Sequence, residues 1–315
     1  MNHVWENPMK FKNKLKEILP FPLVSFISEI LYGTFFKSID NEWMLINIKR
    51  KMKQAAFEWP LPRTVLFYPK IPTSGFAIYK ICRILNYKMI CNKNQPCDLV
   101  IDWRCETRRS EDRVLEMINK KQSVVNYNCR DISKEKVEEV FQGVFVYGSA
   151  VDPLVYNGTC VVKSNNNATH DGRVIKCPIE KREEGSVYQK LINNQHDKDY
   201  IYDIRVPIIK EKIPCVYLKY RSIHDRFKHI IKTEVENPAK LFSQEEIEKI
   251  IVFAKALHLD YGELDVLRDH DNGLLYIIDA NTTPYGPSKI KEFDKKFEAL
   301  KTLSEAFDEM FFQTT

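Results

Sequence analysis

Asp279 and Asn281 interrupt an apolar run near the end of this 315-residue chain, in the stretch LLYIIDANTTPYGP from Leu274 to Pro287. A polar side chain in a strand core costs free energy unless something pairs with it, and an unpaired charge costs far more. Side chains alternate between the faces of a strand, so Leu275, Ile277, Asp279 and Asn281 are expected to share one face. A second strand, YGELDVLR, precedes this one, and Asn272-Gly273 between them is a strong hairpin signal. The hairpin register would bring Asp265 beside Asp279 and Asn281. Two carboxylates and a carboxamide oxygen on one spot are hard donors, suited to Mg²⁺ bridging to phosphates, or to Mn²⁺, rather than to zinc. The plainer alternative is that Asp and Asn before Thr-Thr-Pro are turn formers that end the strand.

These residues need a large scaffold, and the chain is long enough for two or three domains. With 44% hydrophobic and 29% charged residues it has the balance of a folded globular protein. The 48 basic residues exceed the 43 acidic ones by only five. That small excess hints at an anionic ligand and falls short of the basic stripe of a nucleic-acid binder, so no nucleic-acid partner is expected. The eight cysteines are scattered without a CxxC or zinc-ligand spacing. Reduced thiols and a cytoplasmic location are therefore expected. Met1 to Lys16 lacks the apolar core of a signal peptide. Residues 18–36 carry two prolines and Glu29, which rules against a membrane span and leaves a packing helix or a peripheral membrane contact.

Residues 1–62 read as a helical N-terminal extension ended by EWPLPR. From 63 to 130 strand and helix alternate: TVLFY, FAIYKICRILN, YKMIC, CDLVIDW, SEDRVLEMINKK from Ser110, and SVVNY. This is the rhythm of a small α/β sheet. From 131 to 315 the character is α+β. The helix DISKEKVEEVF leads to the strand GTCVVKS, a polar loop NNNATHDG, VYQKLIN, and the pair YIYDIRVPII and IPCVYLKYR, whose short link suits a hairpin. Ser243 and Glu246 form a capping box for the next helix. Ile290, Phe293, Phe297, Leu300, Leu303 and Phe307 line one side of a closing helix.

GELDVLRDHDNGLLYIIDANTTP resembles the closing signature of the ATP-grasp enzymes, in the form carried by D-alanine-D-alanine ligases and related carboxylate-amine ligases. The resemblance implies an N-terminal α/β domain (63–130) and an ATP-grasp domain (131–315) whose two α+β lobes, about 131–190 and 191–315, enclose ATP. It implies Asp265, Asp279 and Asn281 as metal ligands. Further back it is weaker. CVVKSN resembles the strand whose Lys, here Lys163, contacts the nucleotide, and Lys134 in DISK matches an earlier nucleotide lysine. VYQKLIN resembles the segment between the lobes, where Gln189, Lys190 and Leu191 would face adenine partly through backbone atoms. Asp203 would bind ribose, and Arg205, Lys219 and Arg221 the phosphates. NNNATHDG sits where the family has a phosphate-covering loop. That loop is usually glycine-rich, and this one has only Gly172, so His170 and the asparagines are expected to contribute. An imidazole with an unperturbed pKa near 6.5 can contact phosphate or carry a proton.

One departure stands out: Glu263 occupies the place where those ligases often carry an Arg. That departure leaves the transferred group and the acceptor open; the resemblance as a whole implies a Mg-ATP-dependent ligase that activates a carboxylate as an acyl phosphate and joins it to an amine. A kinase of the same fold acting on an anionic sugar or polyol, served by the basic run KYRSIHDRFKH, and a non-catalytic nucleotide-binding module stay open. The acceptor is expected between the α/β domain and the nucleotide, with Tyr68 to Gly75, the loop after the first strand, as its candidate.

Overall fold

Val65, Leu66 and Phe67 are wholly buried in β1 (Thr64–Tyr68), the centre of a parallel sheet. Around it lie β2 (Lys88–Ile90), β3 (Leu99–Asp102) and β4 (Val124–Val125), in the order β2-β1-β3-β4. Short runs of Val, Ile and Leu without polar alternation suit strands buried on both faces. Helices α1 (Ala77–Ile84) and α2 (Arg113–Asn119) fill the crossovers. Helix α2 starts later than the expected Ser110. The Asp112 carboxylate accepts from the N–H groups of Val114 and Leu115, at 2.8 and 3.2 Å, and so stands before the helix as its cap. The computed structural model describes residues 62–169, 171–227, 229–290 and 292–313. Apart from Pro62, the expected N-terminal extension and the 18–36 segment lie outside the described residues.

After β4 the chain turns through Asn126, which is completely buried and has a positive φ of 61°. Its carboxamide oxygen accepts from the N–H groups of Asp260 and Tyr261 at 2.9 and 3.0 Å, and its amide donates to Tyr261 O at 2.7 Å. One side chain thus ties the parallel sheet to a strand more than a hundred residues on. Helix α3 (Lys134–Phe145), capped by Ser133, follows.

A three-stranded antiparallel sheet comes next, made of β5 (Gly158–Ser164), β6 (Arg173–Cys177) and β7 (Ser186–Lys190) in the order β6-β5-β7. The larger antiparallel sheet contains β8 (Tyr200–Ile209), β9 (Val216–Ser222), β10 (Lys232–Glu236), β11 (Tyr261–Arg268) and β12 (Leu275–Asn281), ordered β10-β9-β8-β11-β12. Helix α4 (Gln244–Ala256) begins at the expected Ser243–Glu246 capping box. Strands β6 and β10 do not stand out in the sequence. Both are five-residue edge strands, which pair on one side only and need no apolar period.

The large sheet has two unlike faces. Ile204, Val206, Val216, Leu218, Leu264 and Val266 join a core with Ile250 and Phe253 of α4 and Phe141 of α3. The alternate positions, Asp203, Arg205, Tyr217, Lys219, Glu263 and Asp265, carry the polar and charged groups on the other face. Arg63–Thr315 forms one unit. The closing helix α5 (Phe293–Asp308) packs on α1, burying Leu300, Leu303 and Phe307, with the Tyr87 hydroxyl donating to Asp308. Among the described residues no helix is long and apolar enough to cross a membrane.

Candidate active site

Asp265 and Asp279 pair directly across β11 and β12, and Glu263 pairs with Asn281. A bulge follows at once: Val266 pairs with Ile277, leaving Ile278 as the extra residue. The strict alternation expected from Leu275 to Asn281 therefore fails. Ile277 shares the face of Val266, in the core, while Ile278 and Asp279 both line a cleft on the charged face. A bulge re-aims side chains in this way while the ladder continues on either side. Asn281 also serves the turn, its side-chain oxygen accepting from Thr283 N at 2.8 Å. That bond fixes the carboxamide, and the Thr283 hydroxyl donates to the same oxygen at a longer 3.4 Å.

The cleft has a volume of about 570 Å³, within the range of small-molecule sites. Lys134, Lys163, Gln189, Lys190, Leu191, Asp203, Arg205, Arg221, Asp265, Asp279 and Asn281 all line it. Lys219 is not among the lining residues, and His170 lies outside the described residues. Among the described residues no group of three or more His, Cys, Asp or Glu side chains is gathered for a metal. The donor set here is two carboxylates and an amide oxygen, which is hard oxygen chemistry.

Charge on this face is paired in a row. Arg205 donates to Asp265, and Arg221 to Asp203. Glu263, only 3% exposed, lies 3.5 Å from the Lys219 ammonium and 3.8 Å from Arg205. Burial pushes the Lys219 ammonium below its ordinary pKa, with Glu263 opposing. The departure noted at position 263 thus has a local consequence: a carboxylate compensates two buried cations, and Lys219 is drawn to it instead of into the cleft. Burial also pushes the Asp265 carboxyl up to about 7, Arg205 opposing and Asp279 adding to the rise.

Lys163, on β5, approaches from the smaller sheet, its ammonium 3.5 Å from the Ile278 carbonyl. Burial lowers its pKa while Asp279 opposes. Lys134, 6% exposed at the start of α3, donates to Asn166 O at 3.0 Å and to the Asn167 side-chain oxygen at 3.2 Å. The asparagine loop is engaged with the protein throughout. Asn165 accepts from Glu135 N at 3.1 Å, and the Asn167 amide donates to Ala280 O at 3.0 Å and Ile132 O at 3.2 Å. The side chains of Asn165 and Asn167 therefore seat the loop beside the cleft.

At the other end, the Gln189 side chain turns away to Ser149 Oγ at 2.9 Å, beside the buried Glu138. The N–H groups of Lys190 and Leu191 donate to Ser149 O at 2.8 Å and Thr159 O at 3.2 Å. Arg226, which the sequence reading did not single out, lines the cleft here and donates to Asn194 at 2.7 Å. A lone Arg within a basic run carries no signal of its own.

The cleft also reaches the C-terminal edge of the parallel sheet. None of Tyr68 to Gly75 lines it; Phe76 and Cys105 to Thr107, the loop after β3, do. The signature turn docks here. Ala77 N donates to Pro284 O at 3.0 Å, and Phe76 stacks on Tyr285 with ring centres 4.5 Å apart. Gly286 has a φ of 74°, and a Cβ there would come within 2.9 Å of the Ala77 side chain, so only glycine fits. Arg109, buried, donates to Thr282 from below and pairs with Asp102 at 3.5 Å. It too was missed, because its role depends on a contact across 173 positions.

No family model matches the sequence, and no curated protein matches it. Three solved structures illustrate what the chain is similar to. The ATP-grasp ligase PsnB complexed with minimal precursor is 12% identical, with a TM-score of 0.46, covering 78% of this chain and 98% of that one. The same ligase with a phosphomimetic variant of minimal precursor, Mg and ADP is 14% identical, with a TM-score of 0.44, covering 79% and 99%. D-alanine–D-alanine ligase from Bacillus anthracis complexed with ATP is 13% identical, with a TM-score of 0.49, covering 80% and 98%.

Proposed function

We propose that this chain is an ATP-grasp enzyme, a Mg-ATP-dependent ligase that activates a carboxylate as an acyl phosphate and passes it to an amine or similar nucleophile. The observation that carries the reading is the polar cleft in which Asp265, Asp279 and Asn281 from one hairpin meet Lys163 from another sheet. Asp265 and Asp279, with the Asn281 amide oxygen, would hold Mg²⁺. The metal would supply Lewis-acid neutralisation of the β- and γ-phosphate oxygens. Lys163 and Lys134 would offset the remaining charge on the phosphates, and Arg205, released from Asp265, would do the same at the transferred group. Lys190, Leu191 and Ile192 would border the base, and Asp203 the ribose. The loop of Asn165 to Asn167 would exclude water from the reacting centre.

The ligase reading is favoured over the kinase by where the basic run stands. Arg205 is level with Asp265; Asn281 lies to one side along the strands, and Arg221 to the other. The run therefore serves the nucleotide end. The acceptor end, at Phe76, Cys105 to Thr107 and Thr283, has no basic side chain among its described lining residues.

The test supplies Mg·ATP with panels of carboxylates, amines and anionic sugars, and follows ADP, free phosphate and product mass. A ligase releases phosphate only with both acceptors present, whereas a kinase leaves it on one. Asp279→Ala is expected to lower turnover by at least about 10²-fold, the scale of removing one transition-state charge stabiliser. A variant as active as the parent would overturn the metal assignment.

A further inference from the structure

Cys160 on β5 and Cys177 on β6 are both buried, at 0% and 2% exposure, and their Sγ atoms are 2.7 Å apart. The register explains why they meet. Cys160 pairs with Ile175 and Cys177 with Gly158, which puts the two thiols diagonally on one face of the antiparallel pair. The residue opposite Cys177 is glycine, so no side chain stands between the sulfurs. A disulfide bond is about 2.05 Å long, so a sulfur displacement of less than about 1 Å would join them. Val162, Tyr188 and Ile175 enclose the pair.

We propose that Cys160 and Cys177 are a modification site: they form a reversible intrachain disulfide by exchange with a low-molecular-weight disulfide of the oxidised-glutathione class. Cys177 ends β6, the edge strand, and is the first of the two uncovered when that edge frays. Its thiol gives up a proton, and the thiolate attacks one sulfur of the glutathione disulfide. A mixed disulfide forms on Cys177, and one glutathione thiolate leaves. The Cys160 thiol then loses its proton, and its sulfur attacks the Cys177 sulfur, expelling the second glutathione thiolate. The two leaving thiolates take up two protons. Two protein thiols are oxidised, and one glutathione disulfide is reduced to two thiols. Burial pushes the Cys160 thiol up to about 12, which makes the second step slow in the closed hairpin.

The consequence falls on the cleft. The ring closed by Cys160 and Cys177 contains Lys163 and the whole loop of Asn165 to Asp171. Oxidation would fix the pairing of the two strands that carry that loop, whatever reaction the cleft performs.

The full chain is incubated under native conditions with oxidised glutathione, then examined by intact mass and non-reducing peptide mapping. The expected product has lost two hydrogens and gives a peptide linking Cys160 to Cys177, restored to free thiols by dithiothreitol. Amide exchange across residues 158–177 slows in the oxidised chain. Cys177→Ser removes the cross-link, and Cys160→Ser leaves glutathione trapped on Cys177. The proposal is overturned if Cys160 and Cys177 stay free while the exposed Cys91 and Cys105 become glutathionylated, or if the link forms only in denaturant.

Discussion

Asp265 and Asp279 stand directly opposite one another on two neighbouring strands, and the bulge at Ile278 begins immediately beyond them. Two carboxylates so placed repel unless a cation lies between or beside them. Arg205 supplies that cation from the third strand. The proposed metal would therefore compete with a guanidinium already present, and its arrival would free Arg205 to turn towards phosphate.

A pH dependence follows from Asp265. Its carboxyl titrates near 7 in the folded chain, chiefly through burial, against an ordinary carboxylate value near 3.9 unfolded. Between those values the folded state binds more protons than the unfolded one. This group's contribution to stability is full below about pH 4 and is lost as the pH rises through about 7. The metal-free chain is expected to lose a few degrees of Tm between pH 5 and 8, and Asp265→Asn to flatten that slope. Identical slopes in the two proteins would mean that Arg205 keeps the carboxyl ionised throughout.

Glu263 is expected to be structural in its first effect. Glu263→Gln leaves the buried Lys219 ammonium without its carboxylate, while Arg205 keeps Asp265, at a cost of roughly 3–5 kcal/mol. A fall in Tm on the order of 10 °C should register it. Adding Lys219→Met to the same chain should restore part of the loss, since the orphaned ammonium is then gone. If the double variant melts no higher than the single one, the pairing with Lys219 is not what Glu263 provides.

Asn167 should set the mobility of the loop over the cleft. Asn167→Ala removes two donated bonds and one accepted from Lys134, each worth about 1 kcal/mol. Hydrogen exchange of residues 165–169 should speed up by on the order of 10²-fold, with little change in Tm. Exchange at the parent rate would show that the loop is held by its backbone alone.

Asn126→Ala tests the tie between the parallel sheet and β11. Three side-chain hydrogen bonds disappear, and alanine must take up the positive φ, for an expected loss of about 3 kcal/mol. Thermal or urea unfolding measures it. A loss under about 1 kcal/mol would mean that the Asp260 carboxylate, which accepts from Asn126 N at 2.7 Å, suffices.

Local patterns in the sequence were enough for most of the elements, because their signals are local. Apolar runs mark the buried strands, the Ser243–Glu246 box starts α4, and Asn272-Gly273 closes the last hairpin. The same locality made the hairpin that carries Asp265, Asp279 and Asn281 legible but not its pairing: the register running out from Arg268 and Leu275 would set Asp265 opposite Ile278, and the bulge moves it opposite Asp279. Only the tertiary structure decided the rest. The bulge that turns Ile278 and Asp279 the same way depends on β8 and β11 holding the ladder beyond it. The capture of Lys219 by Glu263, the seating of Asn167 on Ala280 and the support of Thr282 by Arg109 join residues 44, 113 and 173 positions apart. Charges and amides are satisfied by whatever the fold brings beside them, and a single sequence records the groups without recording who their neighbours will be.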